Sequence, residues 1–306
     1  MPPGAQARLY LLVFFVLFFT HGNSYAQMNH QSFKLAIVQM KVEGGKRSNN
    51  LQRARLRIKE AVENGAQVVL LPEAMDLGWT DPSALTEAQP VPQGETAVLL
   101  LEMAKKHGVY ICSGLIEKDG EKVYNSAVLF NPEGELILKH RKIHELDIGH
   151  PYYALGEKLN VAETEYGTFG LMICADATAK DHVLTRSLAY MGADVILSPC
   201  SWAMPADHDN EAEPYGDTWR NAYIPVAKNF RIWIAGASNV GWITGGPWKG
   251  WKGIGSSLVI NPDGEEALFG PYGVDADTVM YVDVKPEDRP GQGTTWEDYW
   301  QKRNKN

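Results

Sequence analysis

Three residues of reactive type stand just beyond apolar runs. Glu73 follows Val68-Val69-Leu70-Leu71-Pro72, and Cys174 follows the run Phe169–Ile173. Lys142 lies in Lys139-His140-Arg141-Lys142-Ile143-His144, after a turn signal at Asn131-Pro132-Glu133-Gly134. A carboxylate at the end of a buried strand sits at the mouth of a sheet, where α/β folds bind ligands. A thiol of ordinary pKa, about 8.5, is mostly protonated at neutral pH. It becomes a nucleophile when a base takes its proton or a cation stabilises the thiolate. Taken singly, Glu73 reads as a loop acid, Cys174 as a small buried hydrophobe and Lys142 as part of a solvated basic face. Chemistry requires a fold that brings them to one place.

The elements that must do so occur twice. Lys34-Leu35-Ala36-Ile37-Val38 is a short apolar strand. A helix pattern from about Asn49 to Asn64 follows, with Leu51, Ala54, Ile58, Ala61 and Val62 on one face. Ser48 or Asn49 can cap its start and Gly65 can end it. Gly65–Glu73 then runs through a buried-type strand to a proline stop, and Gly192–Cys200 repeats that pattern. A second helix pattern comes next in each half, near 95–107 and 215–228, followed by strands at Val109–Gly114 and Ile232–Gly236. Each half closes with a hairpin around Asn131-Pro132-Glu133-Gly134 or Asn261-Pro262-Asp263-Gly264. Two β-α-β-α-β-β halves without a linker between them predict an α/β fold, a four-layer α-β-β-α sandwich. A single doubly wound sheet also accommodates the alternation but leaves the repeated hairpins unexplained.

Composition narrows the function classes. The 306 residues are 44% hydrophobic and 22% charged, enough for a large core and too apolar for global disorder. A net charge of −8 argues against coating nucleic acid or anionic lipid. Three cysteines, Cys112, Cys174 and Cys200, form neither a disulfide scaffold nor a CxxC zinc pair. Cys112 and Cys200 read as core thiols. Residues 1–26 hold one charged residue, Arg8, an apolar run from Leu9 to Phe19, and the small-x-small pattern Ser24-Tyr25-Ala26. This reads as a secretory signal peptide, placing the protein outside the cell or in the periplasm. The apolar run is short of the ~20 residues a span needs, so no stable membrane span is expected after its removal. An uncleaved anchor is the alternative.

Leu70-Leu71-Pro72-Glu73, Tyr124-Asn125-Ser126-Ala127, His140-Arg141-Lys142-Ile143-His144 and Ile173-Cys174-Ala175-Asp176, in this order and spacing, resemble the nitrilase or carbon–nitrogen hydrolase superfamily. The resemblance spans about residues 33–284 and extends to Ser238-Asn239-Val240-Gly241 and Gly255-Ser256-Ser257. It implies an α-β-β-α sandwich, one hydrolase domain over residues 27–306, and a Glu73-Lys142-Cys174 triad. In that triad Cys174 attacks a carboxamide carbon, Glu73 is the general base, and Lys142 with the Ala175 N–H stabilises the oxyanion. The resemblance implies no metal or organic cofactor, a small-molecule amide as substrate, and a homodimer or higher homo-oligomer.

Asp176, two residues after the cysteine, resembles the amidase and carbamoylase branch rather than true nitrilases. The following Ala177-Thr178-Ala179-Lys180-Asp181 departs from the usual pattern, which leaves a non-catalytic binding protein or an acyltransferase as alternatives. Many members carry a second glutamate seven residues before the glycine that matches Gly156. That slot holds Gly149 here, with Glu145 and Glu157 out of register. His150, able to exchange a proton near neutral pH, is a candidate to take over part of that role, and a loop histidine before Pro151 is the other reading. Asn125 is a candidate to orient Glu73 or Lys142, and Trp202 to line the pocket. Trp242, Trp248 and Trp251, around Gly245-Gly246-Pro247, are candidates for a lid or a subunit contact.

Overall fold

The computed structural model describes residues 31–287. The segment read as a signal peptide and nearly all of the Pro/Gly-rich tail after Lys285 lie outside the described residues. The first half supplies β1 (Phe33–Gln39), α1 (Arg47–Glu63), β2 (Val68–Leu70), α2 (Ala84–Glu87), α3 (Glu95–His107), β3 (Tyr110–Asp119), β4 (Lys122–Phe130) and β5 (Leu136–Arg141). β6 (Val161–Thr164) ends that half, and the second supplies β7 (Gly167–Leu171), α4 (Val183–Tyr190), β8 (Val195–Cys200) and β9 (Ala203–Met204). It continues with α5 (Asp217–Phe230), β10 (Trp233–Ser238), β11 (Val240–Trp242), β12 (Lys252–Ile254), β13 (Leu258–Ile260), β14 (Glu266–Phe269) and β15 (Thr278–Val284).

Two six-stranded sheets result, ordered β15-β1-β2-β3-β4-β5 and β14-β13-β10-β8-β7-β6. The repeat is visible strand for strand. β1, β2 and β3 pair in parallel, as do β7, β8 and β10, and an antiparallel meander follows in each half. β6 crosses from the end of the first half to pair with β7, and β15 crosses from the end of the second to pair with β1. This exchange makes each sheet depend on both halves.

Period-two alternation assigns the layers. On β1, Leu35 and Ile37 pack into the core between the sheets, with Phe169, Leu171 and Leu197 of the second sheet. Ala36 and Val38 face outward against Leu51, Ala54 and Ile58 of α1 and Leu100 and Met103 of α3. The four-layer reading holds, and the single doubly wound sheet does not. Beyond the β-α-β-α-β-β reading, β3–β4 and β4–β5 are successive hairpins, and β10–β13 and β13–β14 repeat that antiparallel order; β6 and β15 are added strands, and β9, β11 and β12 form a small third sheet. Neither Ser48 nor Asn49 caps α1; the N-cap is Lys46, without a side-chain cap bond, and Arg47 begins the helix.

Gly114 on β3 is where the fold accommodates the site. A Cβ there would lie 2.5 Å from Glu73 Cα, so only glycine lets the segment after β2 lie on β3. Gly114 N–H donates to Pro72 O at 3.0 Å, and Met75 N–H donates to Gly114 O at 3.1 Å. Gly114→Ala is expected to lower stability by ~1–3 kcal/mol, the usual cost of overpacking a filled core. Urea denaturation followed by circular dichroism checks this, with an activity loss expected in the same variant.

Candidate active site

The three reactive residues leave strand ends of different sheets. Beyond β2, the Glu73 N–H donates to Cys200 O at 3.1 Å, tying the end of one sheet to β8 of the other. Beyond β5, Lys142 N–H donates to Asn125 O at 2.9 Å. Beyond β7, Cys174 starts a short 3-10 turn with φ +43° and donates its N–H to Ser198 Oγ at 3.2 Å. A left-handed φ costs a non-glycine residue of the order of 1 kcal/mol or more and is held by the surroundings. The next amide, Ala175 N–H, lies in the first turn, where helical N–H groups have no intrahelical partner.

The charges are buried and mutually satisfied. Lys142 Nζ donates to Glu73 Oε1 at 2.9 Å and lies 3.0 Å from Glu145 Oε1. Asn125 Nδ2 bridges the same carboxylates, at 2.7 Å to Glu73 Oε1 and 3.2 Å to Glu145 Oε2. Side chains of Glu73, Lys142 and Glu145 are at most 2% exposed. Burial pushes the Glu73 carboxyl above its ordinary range, opposed by Lys142 and reinforced by Glu145. Burial alone would lower Lys142, but Glu73 and Glu145 outweigh it and hold the ammonium charged. Burial, the neighbouring Cys200 thiol and Glu73 keep the Cys174 thiol well above its usual value, so it is neutral at rest. An ammonium has three N–H donors. Two are engaged by carboxylates, and one remains for a substrate oxygen.

Asp176 ties the loops of Lys142 and Cys174 together. Its carboxylate accepts from Ile173 N–H at 2.9 Å, Ile143 N–H at 3.1 Å and His144 N–H at 2.7 Å, and meets His140 Nε2 at 2.7 Å. Burial works to raise its pKa, but His140 and the backbone donors outweigh this and hold it below the ordinary range.

Glu73, Lys142, Cys174, Ala175 and Trp202 line one cavity of about 200 Å³. Asn125 holds the Glu73 carboxylate, one of the two roles considered for it. His150 is not brought to the site: it is exposed on the turn after Asp147–Gly149. Glu145 occupies that place instead, and Gly149 leaves it room, since a Cβ there would lie 2.7 Å from Glu145 Cδ. An acid three residues after Lys142 was the available signal. Trp79, Tyr215, Trp219 and Trp248 also line the cavity. Trp251 stacks on Trp248 from behind, while Trp242 is about half exposed. Trp79 carried no signal in the sequence, because a loop tryptophan is identified as a pocket wall only by what packs around it.

The carbon-nitrogen hydrolase family model matches residues 34–289. This chain belongs to that family. The hydrolase is 35% identical over 241 residues to a nitrilase of Pyrococcus abyssi, covering 76% of this chain and 82% of the relative. It is 32% identical over 262 residues to the omega-amidase NIT2 of Danio rerio, covering 82% and 88%. Among solved structures, Nit3 of Saccharomyces cerevisiae superimposes with a TM-score of 0.72 at 24% identity, covering 85% of this chain and 93% of that one. An amidase from Nesterenkonia sp. gives 0.68 at 22% identity, covering 83% and 91%. These two likenesses concern the fold, which is the α/β sandwich described above.

Two outcomes follow from the electrostatics. With Glu73 as the general base that the resemblance implies, it must be ionised to accept a proton; its pKa is raised, so the acidic limb of kcat/KM is expected above the ordinary glutamate value of about 4.3. Glu145→Gln removes a charge that raises Glu73, and the residual activity should show that limb moved to lower pH. Asp176→Asn should cost about 3 kcal/mol at neutral pH, by breaking a buried pair. The folded pKa of Asp176 is depressed, so its contribution is present above the ordinary aspartate value and lost as pH falls through the folded one. The stability gap between variant and wild type, read by denaturant titration, should therefore narrow on acidification.

Proposed function

We propose that this hydrolase cleaves the carbon–nitrogen bond of a small non-peptide amide or carbamoyl compound through a thioester on Cys174. The observation that carries the reading is the buried Glu73–Lys142 pair opening onto the same cavity as a neutral Cys174 thiol. Glu73 takes the thiol proton as sulfur attacks the carbonyl carbon. The carbonyl electron pair moves to oxygen, which Lys142 Nζ and the Ala175 N–H stabilise. Collapse of the tetrahedral species breaks the carbon–nitrogen bond, and the amine leaves with the proton held by Glu73. Water then gives a proton to Glu73 and attacks the thioester. The acid is released, and the proton returns to sulfur. Glu145 and Asn125 keep Lys142 and Glu73 in register and do not touch the reacting atoms.

Mass spectrometry after incubation with an amide panel tests this. An acyl adduct on Cys174 that decays with release of acid supports it. No adduct and no turnover would favour a binding protein, and transfer to amines or alcohols in preference to water would favour an acyltransferase. Cys174→Ala should abolish turnover while the protein stays folded, whereas Cys112→Ala and Cys200→Ala retain activity. Lys142→Met should lower kcat by about 100- to 1,000-fold, the range for loss of one oxyanion donor.

Export and self-association complete the proposal. The composition of residues 1–26 supports cleavage before Gln27, which N-terminal sequencing of protein from its native host would locate. Among the described residues no helix is long and apolar enough to cross a membrane. The family resemblance supports a homo-oligomer, most simply a two-fold dimer, and light scattering measures the mass.

A further inference from the structure

The walls of the cavity are aromatic beyond the reacting groups. Trp202 and Trp219 stack with centroids 4.6 Å apart and planes 19° apart, and Trp219 Nε1 donates to Tyr215 Oη at 2.5 Å. Trp79 and Trp248 lie 4.8 Å apart and form a second cluster, backed by Trp251 parallel to Trp248 at 4.7 Å. The first cluster comes from the segment after β8 and the first turn of α5, and the second from the loops after β2 and β11. All but Trp251 line the cavity.

Charge is confined to the catalytic end. The ionisable lining residues are Glu73, Lys142, Cys174 and Tyr215. Burial pushes the Tyr215 phenol far above its ordinary pKa, so it stays neutral. Among the described residues Lys142 is the single cation of the lining, and it is already shared by Glu73 and Glu145. A substrate carboxylate entering this cavity would lose its water, find no free cation, and meet a cluster with two carboxylates for one ammonium. Burying such a charge without a partner is strongly unfavourable. An aromatic ring loses little hydration and gains contacts with the rings of the two clusters. The volume of about 200 Å³ admits a single ring with a short linker to the amide.

We infer that the acyl group accepted by this hydrolase is compact, uncharged and aromatic, and that ω-carboxylated amides are excluded for want of a cation in the cavity wall. This rests on the amidohydrolase reading. It goes further by naming which amides the site selects.

Three amides separate the terms: phenylacetamide, butyramide, and succinamate, which is butyramide with a carboxylate for its terminal methyl. The expected kcat/KM order is phenylacetamide, butyramide, succinamate, with about 10-fold between the first two and about 100-fold between the last two. Thr178 lines the cavity and is partly exposed, so it can accept a longer side chain. Thr178→Lys should narrow the gap between butyramide and succinamate at least 10-fold, while Thr178→Met, of similar length, should not. In folded Cys174→Ala protein, tryptophan fluorescence should saturate with phenylacetamide and respond to succinamate only at about 100-fold higher concentration. If none of the three amides acylates Cys174 or is hydrolysed, the amidohydrolase reading fails, and the fluorescence titration still decides the selectivity of the cavity. Succinamate turned over or bound as well as butyramide would overturn the inference, and so would equal narrowing by Thr178→Lys and Thr178→Met.

Discussion

The structure turns on one buried ammonium. Lys142 sits out of water between Glu73 and Glu145, and Asn125 bridges the same two carboxylates. Removing three charges from water is costly, and their mutual attraction offsets it only with good geometry and satisfied hydrogen bonds. The requirement reaches into the backbone. Gly114 admits the Glu73 segment, Gly149 leaves space for the Glu145 carboxyl, and Asp176 pins the loop that carries Lys142. The cluster holds a carboxylate, a fixed cation and a spare N–H donor at one end of a mostly apolar cavity, where electrostatic interactions are less screened than in bulk water.

The duplicated sheet is what makes that geometry rigid. Glu73 and Lys142 project from the first sheet and Cys174 from the second, so their relative position depends on how the sheets pack. The crossings of β6 and β15 tie each sheet to the other half, and the shared core of Leu35, Ile37, Phe169, Leu171 and Leu197 fills the space between them. Closer to the chemistry, the Glu73 N–H bond to Cys200 O and the four contacts of Asp176 couple the loops directly. In the proposed mechanism, the neutral Cys174 thiol and the raised Glu73 pKa make proton transfer accompany attack, rather than a thiolate being held in advance.

Much of this was legible in the sequence. Alternation of Leu35 and Ile37 with Ala36 and Val38, and the apolar spacing in α1, specified strands and helices because each element must bury one face. The recurrence of those elements in one order specified two sheets. Strand-end positions and motif order singled out Glu73, Lys142 and Cys174, and a hairpin asparagine, Asn125, was already a candidate for orienting them. Spacing alone misplaced the auxiliary acid. Matching by register led to Gly149 and His150, whereas the chain turns so that Glu145 meets Lys142 and His150 faces water.

What the sequence by itself determined is the set of elements, their duplication and the residue types able to do the chemistry, since these follow from local periodicity and from side-chain pKa and nucleophilicity. The tertiary structure alone decided which charges share a buried site, that the Cys174 thiol is neutral, and that Trp79, Trp202, Tyr215, Trp219 and Trp248 form one aromatic wall. Burial, dielectric and contact between residues far apart in the chain are properties of the packed whole, and no local pattern carries them.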